Sequence, residues 1–212
     1  MTIKRREMLK KLSSGAIGFG MAMGGSMLFL FNGETSTEAS VDSHIYGHCQ
    51  GTLLRPPGAL EESLFMRRCT GCFQCAETCS IQAIRFIKSL GNPLANTPFI
   101  IPGEKGCNLC MECAQVCPTG ALKKIPDDRS SIQKKVKMGV AVVDELTCRA
   151  YNRRAICGAC YHACPFLNEA IEIKDSYFTP VVNSERCVGC GLCEEACPQE
   201  IKSIRIKRIK QQ

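Results

Sequence analysis

Sixteen of the seventeen cysteines in this 212-residue chain fall into four groups of four. Cys69, Cys72, Cys75 and Cys79 are spaced C-x2-C-x2-C-x3-C. Cys107, Cys110, Cys113 and Cys117 repeat that spacing and are followed by Pro118, and Cys187, Cys190, Cys193 and Cys197 repeat it again before Pro198. The third group is stretched at its front: Cys148 lies nine residues ahead of Cys157, with Cys160, Cys164 and Pro165 following. Three thiolates two residues apart wrap a tight loop around one face of an iron–sulfur cubane, and backbone N–H groups of that loop point at the sulfurs. The fourth cysteine is expected to open a short helix and to ligate the neighbouring cluster. A proline after it is tolerated where the first helical N–H has no partner in any case. The sixteen cysteines are therefore the expected iron ligands of four [4Fe–4S] clusters.

Competing uses of cysteine fit less well. One C-x2-C would suit a zinc ribbon, but four quartets ending in C-x3-C, three of them followed by proline, are not a zinc pattern. A disulfide scaffold or a metal-storage protein is the alternative from another class, and bound zinc or disulfides without iron would distinguish it. A radical enzyme acting on S-adenosylmethionine would need C-x3-C-x2-C, which is absent. No nucleotide loop or nucleophile motif occurs, so no substrate-converting site is expected and the catalytic set is empty.

The segments between quartets indicate how they are joined. Residues 83–87 and 98–101 frame Gly91-Asn92-Pro93, and residues 170–173 and 177–182 frame Lys174-Asp175-Ser176; each reads as a small hairpin between two cysteine loops. That is the two-cluster ferredoxin unit. The expected fold is α+β: tandem bacterial ferredoxin-like modules with short helices and small antiparallel hairpins. Their expected limits are 65–126 and 148–212, with a connector at 127–147 and an N-terminal linker at 40–64. Pairing by neighbours would put Cys117 with Cys69, Cys72 and Cys75, and Cys79 with Cys107, Cys110 and Cys113. It would likewise put Cys197 with Cys148, Cys157 and Cys160, and Cys164 with Cys187, Cys190 and Cys193. A nested arrangement stays open, because residues 121–125 and 139–143 also read as strands. With few large aromatics, two such small modules could hardly build good cores without metal.

Residues 1–39 read as an address. Lys4-Arg5-Arg6-Glu7-Met8-Leu9-Lys10 is a twin-arginine signature, and the uncharged run from Leu12 to Phe31 holds five glycines in twenty positions. Thr37-Glu38-Ala39 offers a cleavage site; an uncleaved anchor is the alternative. Clusters are assembled in the cytoplasm, so export of a folded protein to the periplasm follows. The formal charge of +7 invites a nucleic-acid reading. However, residues 40–212 carry 22 Lys+Arg against 17 Asp+Glu, and four clusters at roughly −2 each reverse that balance. No nucleic-acid partner is expected.

Smaller features have plainer readings. Cys49, beside His44 and His48, reads as a stray thiol in the linker. Arg149, Arg153 and Arg154 widen the third ligand loop, where positive charge would raise a cluster's potential or serve a partner. Ser80 stands where proline follows the other quartets. Ile204 and Ile206 read as a last strand closing a ferredoxin sheet, or, with the basic residues of 201–210, as a surface for anionic lipid.

With Leu54-Arg55-Pro56-Pro57-Gly58-Ala59 ahead of the first quartet, the chain resembles the ferredoxin-type proteins grouped as NapG/MauM, associated with periplasmic nitrate reductase and methylamine utilisation. The resemblance spans the signal, the lead-in, the four quartets and the widened third one. It implies a periplasmic protein held at the outer face of the cytoplasmic membrane by a polytopic quinol-oxidising partner, passing electrons towards a cytochrome c or a reductase. An electron-transfer subunit of a molybdopterin oxidoreductase, and a relative serving nitrous oxide reduction, are the alternatives.

Overall fold

Period-two burial is visible even in strands of three or four residues, and a computed structural model shows how they pair. It describes residues 53–88 and 92–209; the twin-arginine segment, Cys49 and the first part of the linker lie outside the described residues. In chain order the elements are α1 (Glu62–Arg68), α2 (Gln74–Glu77), β1 (Ile84–Phe86), β2 (Pro98–Ile100), α3 (Glu112–Gln115) and α4 (Arg129–Lys135). Then come β3 (Val140–Val143), α5 (Ala159–His162), β4 (Ile171–Ile173), β5 (Pro180–Val182), α6 (Leu192–Glu195) and β6 (Ile204–Lys207). The fold class is the expected α+β, with short helices and small antiparallel strand pairs.

In β1, β4 and β6 an isoleucine is buried, the next residue is charged and exposed, and the third is half-buried. All three strand pairs are antiparallel. β1 meets β2 with Ile84 opposite Ile100, and β4 meets β5 with Ile171 opposite Val182. β3, which precedes the third quartet, pairs with β6, which follows the fourth: Val140 faces Lys207 and Val143 faces Ile204. The tail strand thus closes the second half on itself. Residues 121–125 form no strand. Leu122 alone bridges to Ala59, while Leu60 N–H donates to the Ala121 carbonyl and Lys123 N–H to the Gly58 carbonyl. Pro56 and Pro57 in that lead-in have no N–H to extend a ladder, so the contact stays local. Gly58 turns there at φ +81°, and a Cβ on it would stand 2.4 Å from the Lys123 carbonyl oxygen. Only glycine permits both the turn and the approach.

Helices α2, α3, α5 and α6 contain the third cysteine of each quartet as their second residue, and the fourth cysteine follows the helix C-cap. The expectation that the fourth cysteine opens a helix is thereby corrected. The reason is local. The residue after the second cysteine (Phe73, Met111, Gly158 or Gly191) is left-handed and serves as N-cap, so the helix starts one residue before the third cysteine. Pro118, Pro165 and Pro198 then stand two residues beyond the C-cap, where proline prevents the helix from resuming.

The two longer helices anchor the first half and the connector. Glu61 caps α1 by accepting from the N–H groups of Ser63 and Leu64, and Asp128 caps α4 by accepting from Ser131 N–H at 2.8 Å. Each helix buries one large side chain, Phe65 or Ile132. The core they join is continuous, and cysteines sit in it among Phe65, Met111, Val136 and Val188.

Candidate metal centres

In the first, second and fourth quartets a ligand loop has to turn three thiols to one side within seven residues, and it does so with left-handed backbone. Gly71 and Phe73 flank Cys72, Leu109 and Met111 flank Cys110, and Gly189 and Gly191 flank Cys190, all at positive φ. Alternating backbone hand turns successive N–H groups to one side, forming a concavity suited to an anion. Phe73, Leu109 and Met111 hold this conformation without being glycine, at about 1–2 kcal/mol each. Packing supports them: Met111 and Leu109 are buried, and the Phe73 ring lies 4.4 Å from that of Phe86. Several N–H groups reach sulfur directly, with Leu109 donating to Cys107 Sγ, Ala83 to Cys79 Sγ and Leu122 to Cys117 Sγ, each at 3.4 Å.

The thiols gather by neighbours. Cys69, Cys72, Cys75 and Cys117 line one recess of about 350 Å³ including its mouth, with Phe65 and Phe86 beside them. Cys148, Cys157, Cys160 and Cys197 line another of about 410 Å³, with Phe178 and Ile204. Burial pushes the Cys113 thiol well up, and the nearby charges of Cys107, Cys75, Cys110 and Cys79 add to this. Cys190 is pushed up to about 12 by burial, with Cys164 and Cys187 contributing. Cys117 thus stands with the first quartet and Cys197 with the third, while Cys79 lies near the second quartet and Cys164 near the fourth. Cys75, Cys107 and Cys160 are likewise pushed up to about 12, chiefly by burial. Cys117 is the exception: burial raises it, but donors from Leu122, Thr119 and Ala121 together bring it below the usual thiol value.

Three observations bear on what such sets hold. All sixteen described cysteines are thiols, with no disulfide among them. Eight of them line the two recesses, and among the described residues no three His, Cys, Asp or Glu side chains gather closely enough for a single ion. A structural zinc would need four ligands about 2.0–2.3 Å from one point. A cubane instead takes thiolates around its rim. Finally, Ser203 Oγ is the one buried side-chain N or O atom among the described residues without a hydrogen-bond partner, and Ser203 lines the Cys148–Cys197 recess. The residues present fit [4Fe–4S] clusters.

Charged side chains near the thiols were only partly legible in the sequence. Arg55 belongs to the lead-in motif of the sequence, yet it is 2% exposed and lies near Cys69. It donates to Glu62, to Thr97 Oγ1 at 2.9 Å and to the Pro98 carbonyl at 2.8 Å, with its guanidinium 4.7 Å from the Phe65 ring centroid. In the widened third loop, Arg149 donates to Gln199 at 2.9 Å and Arg153 lies 5.8 Å from the Tyr177 ring. Asn152, in the same loop, donates to the carbonyls of Glu145, Leu146 and Cys148 and so sets the approach to Cys148, a role that no spacing in the sequence signals. Aligning the four quartets on one another would have flagged Phe73 and Met111, since Gly158 and Gly191 occupy the same place.

Comparison with known proteins agrees with this geometry. A 4Fe–4S dicluster domain family matches residues 68–121 and 153–201, and a 4Fe–4S double cluster binding domain family matches 106–167. The chain is 34% identical over 152 residues to the ferredoxin-type protein NapG of Escherichia coli K12, covering 66% of this chain and 64% of that protein. It is 36% identical over 148 residues to the methylamine utilization ferredoxin-type protein MauM of Methylobacillus flagellatus, covering 66% and 61%. NapG of Haemophilus influenzae is 35% identical over 170 residues, covering 74% of this chain and 59% of that protein. The chain thus spans less than two thirds of the length of these relatives. Among the described residues no helix is long and apolar enough to cross a membrane.

Proposed function

The chain belongs to the ferredoxin-type iron–sulfur proteins that include NapG and MauM, and from that premise we propose that it is a periplasmic electron relay carrying four [4Fe–4S] clusters on its sixteen quartet cysteines. The observation that carries this is the exchange of the fourth cysteine at the two recesses, where Cys117 stands with Cys69, Cys72 and Cys75 and Cys197 with Cys148, Cys157 and Cys160; the same exchange in the other two loops supports four sets of four. Each cluster, when bound, supplies reversible one-electron chemistry. The protein's part is to hold it by four thiolates, to donate N–H groups to sulfur, and to keep apolar side chains such as Phe65 and Ile204 against it. The twin-arginine segment supports a periplasmic site. Likeness to NapG supports a polytopic quinol-oxidising partner on one side and a cytochrome c or nitrate-type reductase on the other.

Anaerobic iron and sulfide analysis tests the reading directly. About sixteen of each per chain is expected, with overlapping S = 1/2 signals from the dithionite-reduced protein. Zinc or disulfides in place of iron would overturn it. Co-purification then separates the partners: a polytopic membrane protein fits the relay, and a molybdopterin subunit would replace it with the reductase-subunit alternative.

A further inference from the structure

The two halves of the molecule meet at particular ligand loops. Cys107 N–H donates to the Cys190 carbonyl at 2.7 Å, joining the first cysteine of the second quartet to the second cysteine of the fourth. Around that bond, Gly106 N–H donates to Glu195 Oε2 at 2.7 Å and Lys105 Nζ pairs with Glu195 Oε1 at 3.1 Å. Met138 N–H donates to the Val188 carbonyl at 3.0 Å. The approach is so close that a Cβ on Gly106 would stand 2.7 Å from the Leu192 nitrogen, and one on Gly189 would stand 2.3 Å from the Gly139 nitrogen.

Resting on the four-cluster reading, we propose that the quartets lie in the spatial order one, two, four, three, and that the Cys107–Cys190 contact is the electronic junction between the halves. Within each half the exchanged cysteines tie two sets together, so the only step left to place is the one between halves. It falls where two backbones touch, between sets whose cysteines are mostly buried. The sets at the two recesses, Cys69–Cys117 and Cys148–Cys197, become the ends that face partners. An electron crossing the junction oxidises the group on the Cys107 side and reduces that on the Cys190 side, or the reverse; no bond or proton is exchanged. Chain order does not give this path, since the third and fourth quartets are visited in reverse.

The test uses the iron-loaded protein. Cys72→Ser with Cys157→Ser removes one ligand from each end set. About eight irons should remain, and the two surviving centres should still broaden each other's EPR signals on reduction. Cys110→Ser with Cys157→Ser leaves the first and fourth sets, which should give two separate, uncoupled signals. Uncoupled signals in the first variant overturn the junction while leaving the cluster count intact; a wild-type count far from sixteen overturns the four-cluster reading itself. A check independent of variant loading is zero-length carbodiimide cross-linking of the wild-type holoprotein, which should join Lys105 to Glu195. Absence of that cross-linked peptide would overturn the arrangement.

Discussion

Anaerobic removal of iron and sulfide is expected to abolish the fold outright, with loss of any cooperative thermal transition by circular dichroism. Four of the six described helices have four residues each, and every described sheet has two strands of three or four. Helices that short do not persist alone, and isolated two-stranded sheets are marginal in water. What remains is a core in which Cys75, Cys107, Cys113, Cys187, Cys190, Cys193 and Cys197 take the place of aliphatic side chains. Burial drives most of these thiols away from ionisation, so four thiolates in one set are stable only when iron compensates their charge. The left-handed residues Phe73, Leu109 and Met111 add a local cost that an unmetallated loop has no reason to bear. Folding and metal binding should therefore be one event, as in small zinc domains. Refolding should need iron and sulfide together. A metal-free chain that melted cooperatively would show that side-chain packing alone suffices.

What the sequence disclosed and what it hid differ in kind. Thiol spacing and alternating isoleucines are local patterns, and they led correctly to the loops, the two hairpins and the tail strand Ile204–Lys207. The helix start was misplaced because it depends on the backbone hand of the residue after the second cysteine. Where that residue is Phe73 or Met111, composition points the other way. Residues 121–125 looked like a strand by hydrophobicity, but their neighbour in space is the Pro56-Pro57 lead-in, which cannot pair along its length. The junction at Cys107 and Cys190 was out of reach for another reason. It joins segments more than eighty residues apart through backbone groups, and backbone groups leave no mark on residue identity beyond an occasional glycine such as Gly106.

Arg55→Met should be the most damaging substitution outside the cysteines. Arg55 joins the lead-in to α1 through Glu62 at 2.6 Å, to β2 through the Pro98 carbonyl, and to the C-terminal segment, since Glu62 also pairs with Arg208 at 2.7 Å. Its removal leaves Thr97 and Pro98 without their buried donor and Glu62 with half its compensation. Breaking a buried pair costs about 3–5 kcal/mol. Glu62 keeps Arg208 and is 32% exposed, which argues for the lower end, about 3 kcal/mol. For a chain of this size that is a fall of roughly 6–12 °C in the anaerobic melting midpoint. Arg55→Lys should recover little, because one ammonium cannot reach Glu62, Thr97 and Pro98 together or stack on Phe65. A structural role alone predicts only the lower midpoint. Arg55 also lies near Cys69, and its charge favours the added electron on the group bound there. One of the four reduction midpoints should thus shift to lower potential in both variants that still load sixteen irons, more in Arg55→Met than in Arg55→Lys. A lower melting point with four unchanged midpoints would confine Arg55 to holding the lead-in against the first quartet.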